Sequence, residues 1–213
     1  MWREQLEQLK QAFPEAVKLY RGAIDAEILR TEDSLNLKIS DIASEWLEFL
    51  RYTNGASLLD YCFLGAMTTR IASISKVNLE LWRFSPWARE HFLSFLGDST
   101  GMAIGFVRRD QEARCIGYMR EMYDTVVLPI ASSFTTFISS FLEDVQITLR
   151  TWKPQLGEEI PYEIKTQDLW PWDLKPFCER DLKLKAMLDS GSLDDLFRHD
   201  DEYAAVVDSV LRL

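Results

Sequence analysis

The chain has 213 residues, of which 47% are hydrophobic and 12% aromatic, and its formal net charge is −10. Such a length suits one domain with extensions or two small domains, and the apolar content excludes a disordered chain. Because no run of about 18 apolar residues occurs, no transmembrane helix is expected. The charged N-terminal stretch lacks the apolar segment of a secretion signal, which predicts a cytoplasmic protein.

The negative charge is concentrated towards the C-terminus, where residues 158–213 carry 14 Asp and Glu against 7 Lys and Arg. An acidic protein repels phosphate backbones, so nucleic-acid binding is disfavoured and a basic protein partner is favoured. On charge alone, the simpler interpretation of an acidic surface that maintains solubility is the stronger one.

Cysteine and histidine are sparse. The three cysteines, Cys62, Cys115 and Cys178, are widely separated, no CxxC pair occurs, and the histidines are His91 and His199. This set is typical of free thiols in a reducing compartment, and it argues against a disulfide framework or a zinc site.

The first twenty residues carry apolar side chains at helical spacing, which predicts one kinked helix or two short helices around Pro14. Gly22 fits a helix stop. Asp25 fits the cap of a further helix that carries Ile28 and Leu29 on one face.

A third helical pattern begins at Ser40, a residue type that favours the N-cap position. Its apolar stripe consists of Ile42, Trp46, Phe49 and Leu50. Asn54 and Gly55 follow, and both residue types tolerate the left-handed conformation that ends many helices. The pattern therefore predicts a helix that stops at this pair and continues into β structure.

The pattern over residues 61–120 predicts mostly β structure. Strands are expected at 92–96, 102–107 and 115–119, joined by the turn sequence GDSTG and by a polar turn. We expect the Trp-rich stretch at 77–92 to begin as a short strand and to continue as a helical turn.

The next predicted helix is capped by Ser132 or Ser133 and packs one apolar face on the sheet. That face consists of Phe134, Phe137, Ile138, Phe141, Leu142 and Val145. From Trp152 onward a stretch with four prolines predicts an irregular arm or linker. Two helical patterns follow, with a break at Ser190 and Gly191.

No P-loop, GxGxxG, GxSxG or HExxH pattern occurs. The glycines of GDSTGMAIG favour a plain turn over a phosphate loop, and His91 favours a structural role over that of a general base. The acidic residues of HDDEY, residues 199–203, favour helix capping over metal binding. Trp170 and Trp172 fit an interface anchor and a core contact equally well.

Two sequence blocks together resemble the SUKH superfamily of Smi/Knr-type domains. The first block is EILRTEDSLNLKISDIASEWLEFLRYTNGASLLDYCFLG, and the second is VVLPIASSFTTFISSFLEDV. The residues that fit the first pattern are Glu27, Ile28, Glu32, Leu35, Leu37, Trp46, Phe49, Leu50, Asn54 and Gly55. Those that fit the second are Pro129, Ala131, Ser132, Ser133, Phe134 and Phe137.

The chain departs from that family pattern at two places. Ile39-Ser40 stands where the family has Leu-Pro, and Asn36 stands where it has glycine. Both replacements serve the same local purpose, because Asn tolerates the left-handed conformation and Ser caps a helix. The resemblance spans residues 24–145.

The resemblance implies an α+β fold with a mainly antiparallel sheet flanked by helices, to which we expect a helical C-terminal extension to be added. The expected organisation is a helical lead-in at 1–23, the SUKH-like domain at 24–150, and an acidic extension with Pro and Trp residues at 151–213. Within the family pattern the expected role of seven residues is structural. These are Trp46, Asn54, Gly55, Pro129, Ser132, Ser133 and Phe134.

Many bacterial members of this family look like immunity proteins that neutralise a toxin, often a nuclease. The resemblance therefore implies a non-enzymatic cytosolic protein-binding domain without catalytic residues, cofactor or metal, and the expected partner is a basic toxin domain. A regulatory or scaffold module in cell-wall or signalling control is the alternative, and a deep pocket with shifted titratable groups would favour an enzyme. The candidate partner-binding residues are Trp170, Trp172, Asp194, Asp195, Asp200, Asp201 and Glu202.

Overall fold

The computed structural model describes residues 2–66, 72–119, 127–151 and 175–197. Within these ranges the chain is an α+β protein built on a seven-stranded antiparallel sheet, as predicted. The strands are β1 Val17–Leu19, β2 Ala56–Leu58, β3 Tyr61–Phe63, β4 Phe92–Gly97, β5 Ala103–Arg109, β6 Glu112–Met119 and β7 Val127–Ala131. The helices are α1 Trp2–Ala12, α2 Asp25–Leu35, α3 Ile39–Ile42, α4 Ser44–Tyr52, α5 Ile74–Phe84, α6 Pro86–His91, α7 Phe134–Thr151, α8 Lys175–Arg180, α9 Leu182–Asp189 and α10 Asp194–Phe197.

The sheet is a meander in which the spatial order of the strands equals their order in the chain. The three strands predicted between residues 92 and 119 are confirmed as β4, β5 and β6, and each extends slightly beyond its predicted range. Almost every residue of β4 and β5 is buried. Both faces of the central sheet are therefore covered, which explains why these strands read as nearly continuous apolar runs.

An aromatic cluster fills the face of the sheet that α4 and α7 cover. The ring of Phe95 lies 4.9 Å from that of Phe106, 5.3 Å from that of Phe134 and 5.4 Å from that of Phe137. Trp46 of α4 joins the cluster at 5.0 Å from Phe106. All six residues of the predicted apolar face of α7 are buried, so the prediction that this helix packs on the sheet is confirmed.

The opposite face of the sheet holds α5, α6 and α10. Glycines make room there, because a Cβ atom at Gly105 would lie 2.8 Å from the ring of Phe92, and one at Gly117 would lie 2.5 Å from the side chain of Val127. The indole of Trp87 packs 6.2 Å from Phe92 and donates a hydrogen bond of 3.1 Å to the carbonyl of Leu196. The described part of the C-terminal extension thus contacts the sheet domain directly.

The N-terminal lead-in differs from its prediction after α1. No second helix forms, because residues 17–19 pair with β2 as an edge strand and Val17 is buried. Gly22 is not a helix stop; a Cβ atom there would lie 1.9 Å from the carbonyl oxygen of Arg51, so glycine permits a close approach to α4. Asp25 is the first residue of α2 and not its cap, because the cap position is Ile24.

Two further local predictions are wrong. Ser40 lies inside α3, and α4 begins only at Ser44. The Trp-rich stretch does not begin as a strand, because residues 77–84 belong to α5 and residues 86–91 form α6. The hydroxyls of Ser73 and Ser85 cap these two helices, and Pro86 occupies the first position of α6, where a missing N–H has no cost.

α4 ends at Tyr52, where Thr53 is extended, and the left-handed residue of the turn that follows is Gly55, whose φ is 89°. The prediction that Asn54 adopts a left-handed conformation is wrong. Its buried carboxamide instead accepts a hydrogen bond of 2.5 Å from the N–H of Ala66 and donates one of 3.0 Å to the Ala66 carbonyl. The Asn54 side chain therefore makes the same pair of hydrogen bonds with Ala66 that a neighbouring strand would make. These bonds connect the exit of α4 to the segment that follows β3.

Glu27 joins the start of α2 to this same junction. Its carboxylate accepts hydrogen bonds from the Arg21 guanidinium, the Ile24 N–H at 3.1 Å and the Asn54 amide at 3.4 Å. The hydrogen bonds from Arg21 are the main cause that lowers the pKa of Glu27. The ionised form is therefore favoured in the folded protein.

The C-terminal extension packs against β7, the last strand of the sheet, through α8 and α9. The carboxylate of the buried Asp181 accepts a hydrogen bond of 2.6 Å from the Ser132 N–H, directly after β7, and caps α9 by accepting one of 3.0 Å from the Leu184 N–H. Phe177 and Cys178 of α8 are buried. Asp181 therefore joins the start of α9 to the end of β7.

The break predicted at Ser190 and Gly191 is confirmed, since α9 ends at Asp189 and Gly191 has a φ of 67°. The arm predicted after Trp152 and the final helical pattern lie outside the described residues. Within the described ranges, no helix is both long enough and apolar enough to cross a membrane.

We predict that Asp181→Ala lowers the free energy of unfolding by about 1–3 kcal/mol, because the backbone N–H groups of two buried residues, Ser132 and Leu184, lose a charged acceptor. Chemical denaturation monitored by circular dichroism measures this change. The control is Asp189→Ala, which removes an exposed carboxylate paired with Lys185 and should change stability by less than about 0.5 kcal/mol. Equal effects of the two substitutions would contradict the role assigned to Asp181.

A second prediction concerns pH. The pKa of Glu27 is lowered on folding, so its stabilising contribution is complete above the unfolded pKa of about 4.3 and is lost as the pH falls through the lower folded pKa. Glu27→Gln should therefore destabilise the protein at pH 7, and the difference from wild type should shrink at acid pH. Denaturation curves between pH 7 and about 3 measure it. Glu48→Gln, which removes an exposed ion pair with Arg3, should show a small difference at every pH.

Candidate functional site

A surface groove runs between α2, α3, α5, α6 and the turn that joins β5 to β6. It consists of two adjoining depressions with volumes of about 510 and 520 Å³, which share Asn36, Leu37 and Gln111 as a common wall. We call the two parts the acidic half and the cationic half. The acidic half is lined by Leu29, Glu32, Asp33, Lys38 and Asp41. The cationic half is lined by Ser34, Leu35, Leu79, Trp82, Arg83, Arg89 and Arg108.

The common wall depends on a left-handed residue at the end of α2. Asn36 has a φ of 52°, as expected for a residue in the place of the family's glycine. The chain then turns so that the Leu37 N–H bonds back to the Glu32 carbonyl at 3.1 Å. The Glu32 carboxylate accepts a hydrogen bond of 2.8 Å from the Ile39 N–H, at the start of α3. One acidic side chain therefore fixes the angle between the two helices that form this half.

The other wall, α5, is tied to the sheet by the buried side chain of Asn78. Its carboxamide donates to the Ser94 carbonyl at 2.8 Å and accepts from the Ser94 N–H at 2.7 Å. One turn later the indole of Trp82 donates a hydrogen bond of 2.9 Å to the Phe92 carbonyl. These bonds reach β4 beside its bulge, between Ser94 and Leu96, where the ladder with β5 is irregular. The orientation of α5, and with it the shape of the groove, follows from them.

A short polar contact closes the end of the groove between α2 and α5. The hydroxyl of Ser34 donates to the hydroxyl of Ser75 at 2.7 Å. The turn opposite is shaped by Asp110, whose φ of 56° is left-handed and places Gln111 at the common wall. The groove is thus bounded on each side by a residue with a fixed and uncommon backbone conformation.

Arg108 is the unusual residue of the cationic half, because it is only 6% exposed. Its guanidinium donates to two neutral carbonyls, that of Asp110 at 2.5 Å and that of Arg89 at 2.6 Å. It lies 5.7 Å from the ring centroid of Trp82. Its Nε atom is buried without a hydrogen-bond partner among the described residues. Burial is the main cause that lowers the pKa of Arg108.

The other two arginines of this half, Arg83 and Arg89, are exposed. His91 lies nearby, with its Nδ1 atom 3.3 Å from the Arg108 carbonyl oxygen. The lining of the cationic half therefore carries three positive charges and no carboxylate, and the lining of the acidic half carries three carboxylates and one lysine. Exposed leucines stand on both halves, Leu29 at 57% and Leu79 at 48%. Such a mixture of apolar and charged groups is suited to recognition.

Of the candidate partner-binding residues, the described chain includes Asp194 and Asp195. Both lie in the first turn of α10, and Asp195 forms an ion pair with Arg109 at the end of β5. They do not line the groove. The remaining candidates, Trp170, Trp172, Asp200, Asp201 and Glu202, lie outside the described residues.

The residues of the family pattern occupy structural positions. Trp46 and Phe134 belong to the aromatic cluster, and Pro129 lies within β7 opposite Gly117. Of the two serines proposed as helix caps, the Ser133 hydroxyl accepts a hydrogen bond of 3.2 Å from the Thr136 N–H. The Ser132 N–H donates to Asp181.

The three cysteines are reduced and form no disulfide bond, as expected. Burial raises the pKa of the thiols of Cys62 and Cys115, so both are protonated at neutral pH. In the described part of the chain no group of three or more His, Cys, Asp or Glu residues is arranged to hold a metal ion.

Sequence reasoning missed the groove. Its residues come from five separate elements, and no short motif joins them. One signal was available. Arg108 follows the apolar run AIGFV of β5, and the WRFSPWAREHF stretch contains Arg83 and Arg89, so these segments carry several positive charges in an acidic chain.

Comparison with known proteins adds no identification. No family model matches the chain, and no curated protein sequence is significantly similar to it.

We predict that Asn78→Ala lowers the free energy of unfolding by about 2–4 kcal/mol, because it leaves the N–H and the carbonyl of Ser94 buried without their side-chain partners. Chemical denaturation measures the loss. The control is Leu79→Ala, one residue further along α5, which truncates a half-exposed side chain and should cost less than about 1 kcal/mol. If Asn78→Ala proves as mild as Leu79→Ala, α5 is not held by this carboxamide.

Proposed function

We propose that this chain is a non-enzymatic, cytoplasmic protein-binding domain of the SUKH type, and that it acts as an immunity protein against a basic toxin domain. The observation that supports the proposal most directly is the acidic half of the groove. There Glu32, Asp33 and Asp41 surround the exposed side chain of Leu29. An apolar anchor with a charged rim is the usual anatomy of a protein interface.

The charge of this surface fits a basic partner. The whole chain carries −10, so a cationic protein is attracted from a distance, and the local carboxylates orient it as it approaches. Lys38 is the one cation that lines the acidic half, and it is exposed. Contact with Leu29 would then hold the complex, because burial of apolar surface slows dissociation.

The rigidity of the groove supports the same proposal. The carboxylate of Glu32 is held by the Ile39 N–H, and the wall residue Asn36 is fixed in the left-handed conformation. A preorganised surface loses little conformational entropy on binding, which favours tight association. In this mechanism the domain neutralises the toxin by covering its active surface, and it needs no chemistry of its own.

The test uses the toxin-like protein encoded beside the gene, if the locus has one, and a pull-down from the source strain otherwise. We predict that the double substitution Asp33→Lys with Asp41→Lys weakens binding about tenfold or more, mainly through a slower association rate, and abolishes protection on co-expression. Surface plasmon resonance at two salt concentrations measures the rates. The wild-type affinity should fall as salt rises.

The matched control is Glu15→Lys with Glu48→Lys. These exposed residues lie on other elements, and the pair changes the net charge by the same amount. It should reduce the association rate only slightly and should preserve protection. The proposal fails if no basic partner binds, or if both double variants weaken binding equally, since the effect would then come from net charge and not from the groove.

A further inference from the structure

We propose that the cationic half of the groove is a binding site for the phosphoryl group of a ligand, with Arg108 at its base and Arg83 and Arg89 at its rim. This site goes beyond the proposed function, because a basic partner is attracted to the acidic half and repelled from these three arginines. It also runs against the expectation from the net charge, which disfavours phosphate-bearing ligands across the surface as a whole.

The first argument is the state of Arg108. It is a buried cation whose hydrogen-bond acceptors are the neutral carbonyls of Asp110 and Arg89, and no described carboxylate lies within ion-pair distance of it. Burial of a charge is costly, and burial remains the main cause that lowers the pKa of Arg108, although the charge of the Asp110 carboxylate acts in the opposite direction. The contact with the ring of Trp82 offsets only a small part of the free-energy cost of burying this charge, because a cation–π contact is weaker than an ion pair.

The fixed position of Arg108 indicates that its buried guanidinium is preorganised to bind an anion. The two carbonyl acceptors hold the guanidinium in one plane, and the Nε–H has no partner among the described residues. Arg108 also lines the depression, together with Arg83 and Arg89. A guanidinium plane that is held in advance is the group that recognises phosphate most specifically, since its N–H groups match the spacing of the phosphate oxygens.

The number of charges favours phosphate over carboxylate. Three arginines line this half without an acid among the residues that line it. A single carboxylate would neutralise one of them, whereas a phosphate monoester carries a charge of about −1.5 to −2 at pH 7 and has three acceptor oxygens. The volume of about 520 Å³ and the apolar side chains of Leu35 and Leu79 leave room for the remainder of a small ligand.

The test is a titration of the full-length chain labelled with ¹⁵N, at constant ionic strength maintained with sodium chloride. The probes are inorganic phosphate, glycerol phosphate and a short phosphoserine peptide, with acetate as the monovalent comparison. The signal is the indole N–H resonance of Trp82. We expect saturable shifts with the phosphate probes and weaker ones with acetate. Tighter binding of glycerol phosphate would assign the site to a small phosphate ester, and tighter binding of the peptide to a phosphorylated protein.

Arg83→Gln with Arg89→Gln should weaken phosphate binding about tenfold or more. The matched control, Arg51→Gln with Arg150→Gln, removes two exposed arginines from other elements and should leave the affinity unchanged. Equal affinity of wild type and the Arg83/Arg89 variant, or no saturable shift with any phosphate probe, would overturn the proposal.

Arg108→Met separates a binding role from a purely structural one. It replaces the buried cation by an apolar side chain of similar length. The relief of the buried charge offsets the loss of the hydrogen bonds to the carbonyls of Asp110 and Arg89, two exposed residues, so without phosphate the variant should unfold near the wild-type temperature. Added phosphate should raise the unfolding temperature of wild type and not that of Arg108→Met. If the variant unfolds at a lower temperature and keeps the phosphate-dependent rise, Arg108 is structural and the proposal is wrong. If the variant does not fold, the Arg83/Arg89 titration decides.

Discussion

The groove depends above all on the double hydrogen bond between the carboxamide of Asn78 and the backbone of Ser94. The bulge of β4 lies directly beside this point, between Ser94 and Leu96, and the Asn78 side chain provides hydrogen-bond partners for the N–H and carbonyl of the buried Ser94. Asn78 supplies both a donor and an acceptor in one planar group, which matches a backbone peptide. The defect in the sheet therefore becomes the attachment point of α5, and α5 in turn carries Trp82 and Arg83 into the groove.

Asn54 makes the same kind of contact at the exit of α4, where its carboxamide pairs with the N–H and carbonyl of Ala66. In both places an irregular segment meets a helix, and a buried amide completes the hydrogen bonding that regular structure would provide. A buried amide that satisfies its partners specifies one arrangement, because any shift leaves polar groups without partners in a medium of low dielectric constant. The fold is thus fixed by a few polar contacts within a large aromatic core, which by itself is less directional.

The sequence predicted the central meander and the buried face of α7, because apolar periodicity reports burial directly. It failed where a tertiary contact overrode a local preference. Asn54 was expected to be left-handed, but its carboxamide is used by Ala66, and the left-handed residue of the turn is Gly55. Residues 17–19 were expected to be helical, but the free edge of β2 recruits them as a strand. The groove was beyond prediction, because its lining comes together only through the packing of five elements.

The segregation of charge within the groove has an energetic consequence if both proposals hold. The two halves share Asn36, Leu37 and Gln111, so a charge bound in one half lies close to the other. A phosphoryl group beside Arg108 would neutralise the cationic half and remove its repulsion of a basic partner. Each ligand would then raise the affinity for the other, and by linkage the two effects would be equal in free energy. The net charge of the chain does not reveal this arrangement, because ligand binding depends on the electrostatic potential within the groove and not on the sum of all surface charges.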